Sequence, residues 1–256
     1  MALLQVKGLF HYFAGLKAVS DFNIELNGGE LTGLIGPNGA GKTTVFNLIS
    51  GLYRPSAGEI RLNGINLVGL RPYEITSLGV ARTFQNIHLF NDLTVLDNVR
   101  VAFYHHTRYG ILSSLLRSRR LLKEDAALTE RAMDLLSAFG LKNRHHAPAK
   151  HLPYGDQRRL EMARALATNP RILLLDEPAA GMNPQEVDDL ANLIRWVKEK
   201  YNLTILLIEH QMRMVMSLCH RVRVLDYGET IAEGTPAEIR RDPMVLEAYL
   251  GKEHKV

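Results

Sequence analysis

Cysteine is nearly missing from this chain: Cys219 is the single one among 256 residues. No intrachain disulfide can form, and the composition predicts a reducing compartment. Long hydrophobic runs are missing too. A bilayer-crossing helix needs roughly 18 to 20 consecutive apolar residues, whereas runs such as Ile172–Leu175 and Ile205–Ile208 are short and suit buried strands of a parallel sheet. Met1-Ala2-Leu3-Leu4-Gln5 carries neither a basic leader nor a long apolar core, which reads against a secretory signal. Charge of one sign is not in large excess: 31 Lys and Arg against 27 Asp and Glu leave a formal +4, so no nucleic-acid partner is predicted. The local basic cluster Arg117, Arg119, Arg120 and Lys123 reads as a solvated helical face in preference to a nucleic-acid or lipid contact. Internal repeats, low-complexity tracts and flexible linkers are lacking. A hydrophobic content of 46% over this length is enough to bury a core, in one large domain or a core with a subdomain.

Against these absences stands Gly36-Pro37-Asn38-Gly39-Ala40-Gly41-Lys42-Thr43-Thr44. Two glycines flank four residues and are followed by Lys and Thr, between the strand-like Leu31–Ile35 and the helix-like Val45–Ile49. Glycines let successive N–H groups turn inward, making an anion-binding concavity at a helix N-terminus. Lys42 is placed to reach the β- and γ-phosphates of a nucleotide, and Thr43 to ligate Mg²⁺. A chance glycine-rich turn would explain the residues but not their position between strand and helix.

Leu3–Leu9 and Phe22–Leu26 alternate as half-exposed strands, and Glu59–Leu62 followed by Asn63-Gly64 reads as a strand and hairpin turn. Together they predict a small antiparallel sheet. From about Leu89 to Ala167 the pattern is helical, with Ala132, Leu135, Leu136 and Phe139 on one face and Gly140 as C-cap. Strand patterns return at Ile172–Leu175, Thr204–Ile208, Arg221–Leu225 and Thr230–Glu233, with a helix over Pro184–Lys200. The alternation predicts a parallel α/β sheet interrupted by a helical insertion.

Ile172–Leu175 runs into Asp176-Glu177-Pro178, so a buried strand delivers two carboxylates to the sheet edge where ligands bind. Asp176 is the candidate Mg²⁺ residue opposite Thr43, and Glu177 the candidate base that orients and deprotonates water. The alternative is a helix N-cap after a strand. Thr204–Ile208 ends in Glu209-His210, placing His210 to bond a γ-phosphate or the attacking water. Gln85, within Ala81-Arg82-Thr83-Phe84-Gln85, lies at the passage into the helical stretch, and its amide is suited to touch both Mg²⁺ and water.

Leu152-Pro153-Tyr154-Gly155-Asp156-Gln157-Arg158-Arg159-Leu160 leads into a helix expected over Glu161–Ala167. Here the chain resembles the ATP-binding cassette family, whose signature LSGGQ-x-x-R opens a helix, and the likeness covers nearly the whole chain. The resemblance implies an α/β phosphate-loop NTPase fold with a mixed, mainly parallel core sheet, a small antiparallel β-subdomain and an inserted α-helical subdomain. Residues 1–88 and 168–256 would form the core and 89–167 the helical part. It further implies ATP and Mg²⁺ as cofactors. Phe13 stacks on adenine, with Tyr12 as the alternative; Gly36–Thr44 hold the phosphates; Thr43, Gln85 and Asp176 serve the metal. Glu177, His210 and Gln85 carry catalysis, and Ala180–Asn183 form the D-loop. Tyr154, Gly155 and Asp156 complete the site of a second copy.

Two departures from the family pattern stand out. Pro153 and Tyr154 replace the signature Ser and Gly, and Asp156 replaces Gln, removing a hydroxyl and adding a carboxylate that weakens the attraction for phosphate unless Arg158 or Arg159 offsets it. Asn183 stands where Asp is common. The departures, with DEPAAGMNP, IEHQM and Tyr109–Leu116 with its following basic residues, are similar to the subfamily driving importers of branched-chain and other hydrophobic amino acids. That likeness implies a head-to-tail pair with an identical or paralogous ATPase subunit, a separate membrane permease, an indirect periplasmic or extracellular binding protein, and a place on the cytoplasmic face of the membrane. Rival readings are a lipopolysaccharide-extraction exporter, which shares the look of Ala248-Tyr249-Leu250-Gly251, a non-transport cassette, and an unrelated phosphate-loop kinase or GTPase.

Overall fold

The structure is a computed structural model that describes residues 2–104 and 119–250, with backbone alone for 119–122 and 250. Tyr109–Leu116, Arg117 and Gly251 lie outside the described residues, as do the side chains of Arg119 and Arg120. The chain divides into two compact units, Met1–Gln85 with Arg171–Val256, and Asn86–Pro170.

In chain order the first unit contains β1 (Leu4–Phe13), β2 (Leu16–Leu26), β3 (Leu31–Ile35), α1 (Lys42–Ile49), β4 (Ala57–Leu62), β5 (Ile65–Asn66), α2 (Pro72–Ser77) and β6 (Val80–Arg82). The second unit holds α3 (Val95–Phe103), α4 (Arg119–Ala138) and α5 (Tyr154–Ala167). The chain then returns through β7 (Ile172–Asp176), α6 (Pro184–Tyr201), β8 (Thr204–Ile208), α7 (Met212–Leu218), β9 (Arg221–Asp226), β10 (Glu229–Gly234), α8 (Pro236–Ile239) and α9 (Pro243–Leu250).

Two sheets organise the first unit. One is antiparallel in the order β2-β1-β4-β5. Its β4–β5 turn is Asn63-Gly64 with φ of 47° and 81°, the two positive angles that a two-residue hairpin demands. The other runs β10-β9-β3-β8-β7-β6, with all neighbours parallel except β10 against β9. Every side chain of β3, β7 and β8 is buried, as expected for central strands covered on both faces. Leu4, Val6, Phe22 and Ile24 of the antiparallel sheet join Phe46 and Ile49 of α1 and Leu174, Leu206 and Leu225 in one core cluster. Each such side chain contributes about 1.5–3 kcal/mol on burial, and Ala40 of the phosphate loop belongs to the same cluster.

The sheet order decides the site. β3 and β7 both pair with β8, and Asp176 lies opposite Ile208, so the C-terminal ends of these three strands share one edge.

The second unit is helical. Thr94 caps α3 by accepting the Asp97 N–H at 3.0 Å, while fully buried Asn98 ties the preceding loop through Phe90 N–H and Phe90 O, both at 3.0 Å. Ala132, Leu135, Leu136 and Phe139 are buried as the periodicity predicts, and Gly140 takes φ 72° just past α4. Short 3₁₀ turns at Lys142–Arg144 and Ala149–His151 separate α4 from α5. Helix α5 also begins earlier than expected, at Tyr154, with Pro153 in the N-cap position at φ −55° and ψ 153°. Proline lacks the N–H and fixes φ, so it opens the helix where it stands. Among the described residues no helix is long and apolar enough to cross a membrane.

Candidate functional site

Strand β3 hands over to the glycine-rich loop, which enters α1 at Lys42, three residues before the expected start. Gly36 takes φ 148°, and a Cβ there would overlap the Leu225 carbonyl oxygen, so only glycine fits. Gly41, at φ 101°, is the N-cap of α1 and brings no side-chain cap, and the first turn contains no acidic residue. The helix therefore presents N–H groups and the positive end of its dipole without internal compensation. Lys42 is buried, and its Nζ donates to the Gly36 and Pro37 carbonyls at 2.7 Å each. Burial holds the Lys42 ammonium below the usual lysine range, against the pull of the Glu177 and Asp176 charges. Asn38, Gly39 and Thr43 are exposed on the loop and the first turn, and Thr44 is half-buried. From behind, Gly228 N–H bonds the Ala40 carbonyl at 2.9 Å and supports the loop.

The carboxylates stand at the edge shared by β7 and β8. Asp176 is 2% exposed; its Oδ2 accepts from Arg82 Nη2 at 2.8 Å, while Oδ1 is buried with no hydrogen-bond partner. Burial pushes the Asp176 carboxyl above the ordinary range, partly opposed by Arg82. Glu177 adopts φ 46°, an uncommon conformation for a residue with a Cβ. Its Oε1 accepts from His210 Nε2 at 2.8 Å and its Oε2 from Gln85 Nε2 at 2.8 Å. A carboxylate only accepts, so this geometry requires a proton on His210 Nε2. Glu177, His210 and Gln85, far apart in sequence, thus meet at one carboxylate. Glu177 is not a helix N-cap; Asn183 takes that role for α6, accepting the Glu186 N–H at 3.0 Å.

Phe13 and Tyr12 are both exposed. Phe13 joins an aromatic cluster, edge-on to His11 at 4.6 Å and to Tyr53 at 5.4 Å between ring centroids. Tyr154, Gly155 and Asp156 lie in the second unit, in the first turn of α5.

With this geometry in hand, comparison with known proteins is decisive. A family model described as ABC transporter matches residues 19–180. The chain belongs to the ABC transporter family. A second model, described as branched-chain amino acid ATP-binding cassette transporter, matches residues 229–255. The cassette is 46% identical over 250 residues to the high-affinity branched-chain amino acid transport ATP-binding protein LivG of Escherichia coli K12, covering 98% of each. It is 33% identical to the lipopolysaccharide export system ATP-binding protein LptB of the same organism, over the full length of both. Among solved structures, the ADP conformation of MJ1267, an ATP-binding cassette of an ABC transporter, superposes with a TM-score of 0.85 at 31% identity, covering 98% of this chain and 100% of that one. The dimeric post-hydrolysis state of the cassette MJ0796, bound to ADP and Pi, gives 0.76 at 25% identity, covering 91% and 98%. The fold is the ABC ATPase fold, and the chain is an ATP-hydrolysing cassette.

Four residues of the cassette have roles that sequence patterns did not reveal. Arg82 reaches Asp176, Asn47 Oδ1 at 2.7 Å and Ser50 Oγ at 3.2 Å, and lies over the rings of Phe46 and Phe84. The available signal was a cation ending a short apolar strand, which needs a carboxylate partner if buried. Glu209 and Gln211, on either side of His210, both bond Ala179. Arg144 lies 3.3 Å from Asp156, and Arg159 lies 4.0 Å from it. Of the two arginines considered as an offset to Asp156, Arg159 is the one beside it, joined by Arg144. Arg158 is buried, bonding the Tyr154 hydroxyl at 2.8 Å and Glu161 at 3.3 Å.

Proposed function

We propose that this cassette drives uptake of branched-chain amino acids through a separate membrane permease, docked on the cytoplasmic face of the membrane. The carrying observation is the Glu177 carboxylate fixed between Gln85 and His210 at the strand edge beside the phosphate loop. The likeness to LivG over nearly the whole chain supports the cargo, and the lower identity to LptB weighs against the exporter reading.

The residues present fit ATP and Mg²⁺. The uncapped start of α1, the glycine-built loop and the Lys42 cation suit a polyphosphate. Asp176 Oδ1, buried and unpartnered, is an acceptor awaiting a cation or its water shell. Gly36–Thr44 would hold the phosphates, Thr43, Gln85 and Asp176 would serve the metal, and Phe13 would stack on adenine. Bound Mg²⁺ would neutralise charge on the β- and γ-phosphate oxygens. Glu177 orients water and takes its proton, His210 holds Glu177 in place, and Gln85 restrains its other oxygen. Tyr154, Gly155 and Asp156 would meet the nucleotide of a second ATPase subunit, identical or paralogous, in a head-to-tail pair. With Pro153 in place of Ser, that contact falls to backbone N–H groups at the start of α5, with Asp156 neutralised by Arg144 and Arg159. The Asn86–Pro170 unit would transmit closure to the permease, which receives cargo from a binding protein outside the membrane.

The test is turnover and binding in Glu177→Gln. ATP affinity by titration stays within about twofold, while kcat falls by about 10² or more. Undiminished turnover removes Glu177 from the role of base. Uptake of labelled leucine by liposomes holding the cassette and its permease, against uptake of labelled basic amino acids, tests the cargo.

A further inference from the structure

The two residues flanking His210 grip a single backbone unit of the neighbouring loop. Glu209 is 2% exposed, and its carboxylate is surrounded by main-chain donors. Oε1 accepts the Ala179 N–H at 2.8 Å; Oε2 accepts the N–H groups of His210 and Gln211 at 2.9 and 3.1 Å. Hydrogen bonds to an ionised group are the stronger kind, and three of them hold a buried carboxylate firmly. From the other side Gln211 Nε2 donates to the Ala179 carbonyl at 3.0 Å. Both peptide groups of Ala179 are thus engaged, two residues after Glu177. Glu177 N–H in turn bonds the Ile208 carbonyl at 2.9 Å. The segments 177–179 and 208–211 are therefore stitched at four places: Glu177 N–H to Ile208, Glu177 to His210, and Ala179 to Glu209 and to Gln211.

We propose that Glu209 and Gln211 are positioning residues: they clamp Ala179 to the His210 turn, so that movement of Ala180–Asn183 displaces Glu177 and His210 as one piece. The proposal rests on the ATPase reading of Glu177 and His210. The local geometry favours it over simple packing. Glu177 sits at φ 46°, which is unfavourable for a residue with a side chain and persists only where surrounding bonds over-determine it. The Ala179 carbonyl also accepts the Met182 N–H at 3.2 Å, so the clamped unit is the same one that shapes the following loop.

The experiment measures kcat, KM, ATP affinity and thermal midpoint for wild type, Gln211→Ala, Gln211→Glu and Glu209→Gln. Gln211→Ala is expected to lower kcat about tenfold with KM and affinity within about twofold. Glu209→Gln is expected to lose more, because its amide NH₂ must face one of the main-chain donors; if that variant does not fold, the Gln211 pair still decides. Gln211→Glu supplies a readout that packing alone would not move. Ionised, the new carboxylate cannot donate to the Ala179 carbonyl and lies near Glu209, whose charge raises its pKa; His210, which bonds Glu177, is its neighbour in the chain, Arg213 with its partner Asp188 follows two residues on, and Cys219 lies within reach of the Glu209 charge. Protonated, it donates again. Its kcat relative to wild type therefore rises as pH falls toward the range in which the new carboxyl group takes up its proton. Wild-type kcat in Gln211→Ala, or wild-type kcat in Gln211→Glu at about pH 8, where the new carboxylate is ionised, overturns the clamp. Two controls separate this from failure of the parent reading: undiminished turnover in Glu177→Gln removes Glu177 as the base, and unchanged ATP affinity in Lys42→Ala removes the phosphate cradle, whatever Gln211 does.

Discussion

Arg82 and Asp176 form the ion pair on which the metal side of the site depends, with side chains only 6% and 2% exposed. Removing one partner of a buried pair leaves an uncompensated charge, at a cost of about 3 kcal/mol or more. Arg82→Met is expected to lose that much stability, read by denaturant unfolding. It should also change the metal dependence of turnover. Burial already holds the Asp176 carboxyl above the ordinary range, and Arg82 pulls it down. The neutral acid cannot balance a cation, so Mg²⁺ affinity falls as pH falls, starting at a higher pH than for an exposed Asp. In Arg82→Met the pKa rises further and the loss begins at a still higher pH. A series of Mg²⁺ titrations of ATPase activity across pH, in both proteins, checks the direction. Lys42, Glu177, His210 and Gln85 were legible in the sequence because each sits at a strand end or loop of recognisable pattern. Arg82 was not, because its carboxylate partner is 94 residues away and only the β6–β7 pairing brings them together.

At the scale of elements, the expected strands and helices are present, but β1 runs on to Phe13, β2 begins at Leu16, β6 is an added strand, and two helices start earlier than expected. Helix α1 begins at Lys42 because Gly41 can take a left-handed angle and still accept the first helical bond, Val45 N–H to Gly41 O at 3.0 Å. Hydrophobic periodicity reports only the buried face, and Lys42, Thr43 and Thr44 do not carry it. Helix α6 starts cleanly at Pro184 because Asn183 and Glu186 form a reciprocal capping box. Asn183→Ala is expected to cost about 1 kcal/mol of unfolding free energy, whereas Asn183→Asp, an equally good cap, leaves stability within about 0.5 kcal/mol. Denaturant melts of the two variants check this. A turnover defect in Asn183→Asp without loss of stability would then report on the loop's contact with a partner, separately from the cap.

For the whole molecule the expected signature is association linked to nucleotide. Glu177→Gln with ATP and Mg²⁺ should sediment as a dimer and return to monomer when Lys42→Ala is added, because the phosphate cradle is then lost; a mass unchanged by ATP in the first variant rejects the head-to-tail pair. The sequence by itself determined the phosphate loop, the buried strands and the division into strand-rich and helical stretches. These are local properties: glycine spacing, apolar runs and turn residues act within about ten neighbours of each other. Tertiary structure alone decided which polar groups meet. The order β3-β8-β7-β6 sets Arg82 on Asp176 and His210 on Glu177. Ion pairing and hydrogen bonding depend on distance in space, and distance along the chain carries no information about it until the strands are aligned.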